Sequence, residues 1–247
     1  MFYGHCPPSE SPAHVNLPNA ITVGRIALTP LIAWLPFTTS WTARLMAFVL
    51  FLVAAITDYW DGHLARQHNM VTDLGRLLDP LADKLLLVAT LVPMYFLQRH
   101  PQFIVPDAAF PINSGVSASV DVAPFLFATP FGHVSLPLWI VLVVLGREAF
   151  MTLFRQVAAR RGLVISAIGP AKWKTTFQSI WLGAAYFWFF ALTLAVREGW
   201  EQDATWQAFA WFNGFVGVTS MIGAVALTMY SLWLYLRRYG SQVMRLA

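Results

Sequence analysis

Asp58-Tyr59-Trp60-Asp61-Gly62-His63-Leu64-Ala65-Arg66, an interval of eight residues, then Gly75-Arg76-Leu77-Leu78-Asp79-Pro80-Leu81-Ala82-Asp83 is the stretch that decides the fold. Long apolar runs lie on either side of it. A carboxylate in a membrane helix is costly to place and is read first as functional. Asp58 and Asp61 stand three residues apart, Asp79 and Asp83 four, so each pair occupies one face of a helix. Two acidic ridges on consecutive helices, turned toward each other, form an all-oxygen site for a hard divalent cation, Mg2+ or Mn2+. His63 and His68 flank the motif and are read as exposed residues at a helix end, not as ligands. A rival reading keeps the acids as structural ion pairs within a transporter bundle, neutralised by Arg66, Arg76 and Lys84. Asp73, just before Gly75, is expected to cap a helix.

The bulk composition agrees with a membrane setting. Of 247 residues, 57% are hydrophobic and 11% charged, against roughly 25% charged in soluble domains. The 11 Trp, 7 Tyr and 19 Phe suit interfacial belts and lipid-facing walls. A net charge of +4 is read as matched to an anionic membrane surface and anionic substrates, not to nucleic acid. Residues 1–15 are polar and Pro-rich, without the apolar core of a signal peptide, and are expected to form a flexible cytoplasmic tail. The lone Cys6 excludes an internal disulfide framework.

About 20 apolar residues cross a bilayer as helix. Six such spans are expected, near residues 20–38, 43–66, 74–97, 137–158, 173–197 and 206–237, giving an all-α polytopic fold within a single domain of residues 16–247. The 99–136 connection has prolines at 101, 106, 111, 124 and 130 and no helix-length run. Irregular chain cannot cross lipid, so this segment is expected at the outer face. Arg44, Arg99 and Arg197 fall on that side of the threading, and the other thirteen basic residues on the side of the aspartates. The positive-inside rule therefore expects the acidic site and both termini in the cytoplasm.

Around the acids, Gly62 and Ala65 carry little bulk and let a flat group approach the backbone. Arg66 offers a fork of donors to a phosphate, and Gly75 lies where free N–H groups at a helix start favour an anion. The pattern Asp58-x-x-Asp61-Gly62-x-x-Ala65-Arg66, eight residues, Gly75-x-x-x-Asp79-x-x-x-Asp83 resembles the signature of the CDP-alcohol phosphotransferase family at every defined position. The resemblance implies a six-helix fold, usually dimeric, with one or two divalent metals on Asp58, Asp61, Asp79 and Asp83. It implies Asp83 as the base that activates an acceptor hydroxyl. It implies a CDP-lipid site at Asp61, Gly62, Ala65, Arg66 and Gly75.

The acceptor is addressed by a second, basic set. Arg147 and Arg155 lie two turns apart on the fourth span, and Lys172 and Lys174 open the fifth. Arg147 could instead pair simply with Glu148. Converging beside the metals, the four cations would hold an acceptor that already carries a phosphate. Asn16-Leu17-Pro18-Asn19-x-x-Thr22-x-x-Arg25, Arg147-Glu148, and Lys172-Trp173-Lys174-Thr175-Thr176-x-Gln178 resemble the bacterial phosphatidylglycerophosphate synthases within that family. Gln156 departs from the acidic residue usual there, and the 99–136 connection is longer than usual. The resemblance implies CDP-diacylglycerol as donor, glycerol 3-phosphate as acceptor, and a bacterial inner-membrane location. Inositol phosphate and phosphatidylglycerol are the alternative acceptors.

Overall fold

A computed structural model describes residues 17–67, 73–99, 127–160, 162, 170–200 and 203–245 of the protein. Within these, the side chains of 17–18, 59–67, 73–77, 79, 133, 170–172 and 241–245 are outside the description. The 1–15 tail and most of the 99–136 connection also lie outside the described residues.

Among the described residues there are six long helices: α1 Leu17–Trp34, α2 Trp41–Gln67, α3 Asp73–Leu97, α4 Leu138–Arg160, α5 Pro170–Glu198 and α6 Ala204–Arg245. A short 3-10 turn, Leu35–Phe37, follows α1. Helix is the expected solution, because only a helix or a closed barrel satisfies its backbone within lipid. Five of the six, all but α4, contain a stretch long and apolar enough to cross a membrane. Six such spans were expected. The difference lies in α4, whose 23 residues include Arg147, Glu148, Arg155 and Arg160.

The helix α5 is the hub. Two-thirds of its apolar span is buried, and Trp181, Ala185 and Phe189 are essentially inaccessible. It packs against α2 and α6, while α1 packs against α2 and α3. The Tyr186 hydroxyl lies 3.4 Å from the Ile32 carbonyl and 3.3 Å from that of Ala89, so one side chain of α5 reaches both α1 and α3. Buried threonines satisfy themselves on the preceding turn, as Thr29 does on Arg25 O and Thr90 on Leu86 O, both at 2.8 Å. Arg44, 1% exposed, donates from Nε to Thr38 O at 2.9 Å and from Nη1 to the Thr193 hydroxyl. These bonds meet much of the cost of burying a guanidinium.

One element was not foreseen. The end of the Pro-rich connection forms an antiparallel hairpin, β1 Phe127–Thr129 and β2 Gly132–Val134, with Gly132 at φ 122° opening the second strand. It lies on α6 at Gly214 and Gly217. A Cβ on Gly214 would overlap the Ala128 carbonyl, and one on Gly217 would overlap the Phe127 ring. Just beyond the hairpin, Gln98 at the end of α3 bonds both backbone groups of Leu136, at 2.5 and 2.9 Å.

Candidate active site

From Trp41 to Asp58 is about 25 Å of α2 at 1.5 Å per residue. That nearly equals the roughly 30 Å thickness of a bilayer core, so Asp58 lies close to one edge of the membrane if Trp41 marks the other. Around Asp58 opens a cleft to which five helices each contribute a charged residue: Arg25 from α1, Asp58 from α2, Asp83 from α3, Glu148 from α4 and Lys174 from α5. Thr175 and Gln178 add polar groups, and Phe51, Leu86 and Leu182 form an apolar floor.

The local sequences explain this convergence. On α1 the buried residues Thr22, Arg25, Thr29 and Ile32 recur at helical spacing, so the face that packs inward carries the arginine into the cleft. On α5, Lys174 and Gln178 are buried one turn apart and lead down to Trp181 and Leu182. Arg25 is 2% exposed and donates from Nη1 to Oδ1 of Asp58, whose side chain is 40% exposed. Asp83 accepts no hydrogen bond from a described residue, leaving its carboxylate open to the cleft it lines.

A second chain of contacts runs from α5 through α4 to α6. Lys174 Nζ and Arg147 Nη1 both donate to Oε1 of Glu148, the latter at 2.9 Å. Arg147 Nη2 donates at 2.9 Å to the Ser231 hydroxyl, which donates in turn to Thr228 O at 3.0 Å. A carboxylate shared by two cations is well compensated, as a group removed from water must be. Arg155 is engaged elsewhere: its guanidinium lies 5.6 Å over the Tyr235 ring and donates to the Tyr235 hydroxyl at 3.3 Å.

The structure thus brings Asp58, Asp83 and Lys174 into one cleft. Arg147 adjoins it through Glu148 without lining it, and Arg155 lies two turns further along α4. Asp61, Gly62, Ala65 and Arg66 fall within α2, and Gly75 and Asp79 within α3. Their side chains, and that of Lys172, lie outside the described residues, as do His63 and His68. Two cleft residues had no place in the expected site. Arg25 was read as part of the stretch resembling the phosphatidylglycerophosphate synthases, with no role of its own, although Thr22 and Thr29 on the same face were a signal. Glu148 was read only as a partner for Arg147.

As for metal chemistry, Asp58 and Asp83 offer only carboxylate oxygens, which fits a hard divalent cation. No group of three or more His, Cys, Asp or Glu comes together among the described residues, which exclude the side chains of Asp61 and Asp79.

The family profile described as CDP-alcohol phosphatidyltransferase matches residues 15–230. The chain belongs to this family. Among CDP-alcohol phosphatidyltransferases it is similar to the CDP-diacylglycerol–glycerol-3-phosphate 3-phosphatidyltransferase of Bacillus subtilis, with 34% identity over 68% of this chain and 75% of that protein. The protein of the same description from Rickettsia bellii is 46% identical over 31% of this chain, a match spanning 42% of the relative. An Arabidopsis thaliana protein, CDP-diacylglycerol–glycerol-3-phosphate 3-phosphatidyltransferase 2, is 26% identical over 95% of this chain and 86% of its own length.

Proposed function

We propose that the protein transfers the phosphatidyl group of CDP-diacylglycerol to a hydroxyl of glycerol 3-phosphate, releasing CMP. The observation that carries this reading is the cleft itself, where the first and last aspartates of the family motif meet a buried lysine from α5. The similarity to glycerol-3-phosphate phosphatidyltransferases supports the choice of acceptor.

Breaking a phosphoanhydride asks mainly for charge neutralisation and positioning. Mg2+ or Mn2+ held by Asp58, Asp61, Asp79 and Asp83 would supply that neutralisation. Arg25 holds the Asp58 carboxylate in place. Asp83 takes the proton of the acceptor hydroxyl as the new P–O bond forms, and the CMP phosphate leaves with the electrons of the broken bond. Asp61, Gly62, Ala65, Arg66 and Gly75 bind the CDP-lipid. Lys174 attracts the acceptor phosphate, with Arg147, Arg155 and Lys172 as the further members of the basic set. Over the apolar floor these charges act more strongly than they would in bulk water.

The donor's tails have an exit. An apolar groove between α2, α5 and α6 shares Phe51, Ala55 and Ser179 with the cleft and is walled by Leu52, Ile180 and Phe212, all exposed. We place the acyl chains there, so that the lipid enters sideways from the bilayer. We read the assembly as a homodimer of six-span subunits, with α4 as the sixth span. The chain forms one membrane domain, with the cleft and both termini on the cytoplasmic side of a bacterial inner membrane.

The test is CMP release from CDP-diacylglycerol by purified protein in detergent with Mg2+, across a panel of acceptors with product masses recorded. Turnover with glycerol 3-phosphate, abolished by chelation and restored by Mg2+ or Mn2+, is expected. Turnover only with inositol phosphate or phosphatidylglycerol would reassign the acceptor. No CMP release with any alcohol would favour an acidic cation site in a transporter.

A further inference from the structure

One charged residue of the cleft has no role in the reaction as written. Glu148 reaches the cleft from α4 with its side chain 17% exposed. Both of its cationic partners, Lys174 and Arg147, contact Oε1. Among the described residues no group donates to Oε2.

A carboxylate accepts hydrogen bonds and donates none. In a cleft built for phosphorylated ligands it repels the phosphates, so it has to face some other part of the substrate. A carboxylate beside Lys174 also weakens the basic pocket it adjoins, a cost that a better phosphate site would avoid by having no acid there. Glycerol 3-phosphate offers one group that neither the lysine nor Asp83 accounts for, the secondary hydroxyl next to the one that reacts.

We propose that Glu148 is a specificity-determining residue whose Oε2 accepts a hydrogen bond from this neighbouring hydroxyl. The proposal rests on the reading that glycerol 3-phosphate is the acceptor. Two hydroxyls on adjacent carbons then meet two carboxylates on different helices, Asp83 for the one that loses its proton and Glu148 for the one that keeps it. The two cations on Oε1 hold the carboxylate in a single orientation, so little side-chain freedom is lost when the acceptor binds. An acceptor without the second hydroxyl leaves Oε2 unpaired beside the ligand, and such a site discriminates against the analogue lacking the group.

The experiment compares glycerol 3-phosphate with 3-hydroxypropyl phosphate, which keeps the phosphate and a primary hydroxyl and lacks only the secondary one. kcat/KM is measured for each by CMP release from CDP-diacylglycerol in detergent with Mg2+. The wild type is expected to prefer glycerol 3-phosphate by about 10- to 100-fold, the value of one hydrogen bond to a charged group. Glu148→Ala is expected to shrink that preference to within about threefold. A residue that served only as a counter-ion for Lys174 would lower both acceptors together and leave the ratio unchanged, which would overturn the proposal. Glu148→Gln, which keeps the volume, gives the same reading, with a smaller loss of preference, if the alanine variant does not fold. Equal use of the two acceptors by the wild type overturns the proposal whatever the variants do. A wild type that turns over another acceptor and not glycerol 3-phosphate shows instead that the underlying reading has failed.

Discussion

Arg25 and Asp58, 33 residues apart on α1 and α2, form an ion pair in which the arginine is almost wholly buried and the aspartate side chain is 40% exposed. The two ends of this pair are not equivalent. Without the aspartate, a buried guanidinium loses its ion pair with α2. Without the arginine, a carboxylate remains that water can reach. Asp58→Ala is therefore expected to lower thermal stability in detergent more than Arg25→Met, which keeps most of the apolar stem. Thermal unfolding followed by intrinsic fluorescence checks the order. A larger loss in the arginine variant would mean that its side chain matters for packing more than for charge.

Asp83 takes no hydrogen bond from a described residue, so its replacement by asparagine should disturb little of the fold. If it is the base, Asp83→Asn should reduce turnover by about 10²–10⁴-fold while affinity for CDP-diacylglycerol stays within a few-fold of wild type. Single-turnover kinetics alongside a binding titration separate the two quantities. A parallel loss of both would make Asp83 chiefly a metal ligand.

The basic residues should differ in a graded way. Lys174 lines the cleft, Arg147 adjoins it through Glu148, and Arg155 is stacked on Tyr235. Steady-state assays should show the largest rise in KM for glycerol 3-phosphate for Lys174→Met, an intermediate one for Arg147→Met and the smallest for Arg155→Met, with CDP-lipid binding spared throughout. That is the kinetic signature of lost acceptor contacts. An Arg155 effect equal to that of Lys174 would mean that the acceptor extends along α4 toward Tyr235.

Away from the cleft, Gly214→Ala puts a methyl group into the Ala128 carbonyl. Backbone cannot yield as a flexible side chain does, so a loss of about 1–3 kcal/mol is expected from overpacking, with kcat at low temperature close to wild type. Comparing denaturation midpoints for Gly214→Ala and Gly24→Ala, the latter a position with open space around it, isolates the effect of the hairpin contact.

How far these features could be read from the chain depended on the range of the interactions behind them. Expectations of 43–66 and 74–97 for the second and third spans lie within two residues of α2 and α3, because apolar runs and local helix signals set those limits. Asp58 and Asp83 announced themselves as acids in apolar surroundings. Arg25 did not, since its significance depends on a partner on another helix, and an arginine near a helix end is ordinarily a snorkelling one. Glu148 followed Arg147 so closely that the local pair hid its contact with Lys174, 26 residues on. The hairpin escaped because its strands are three residues long and its stability comes from the glycine notch on α6, which lies about 85 residues later.

The pairing of α1 with α2 also bears on how the chain enters a membrane. Arg25 is synthesised before Asp58, so the first helix meets the bilayer carrying a positive charge whose ion pair with α2 has not yet formed. Lodging an arginine in lipid is unfavourable, and the ion pair that offsets part of the cost forms only when the second helix has emerged. The pair α1–α2 is then the smallest unit that inserts with this ion pair made. Nascent chains stopped after residue 40 should integrate less completely than chains stopped after residue 72, and Arg25→Leu should narrow the difference.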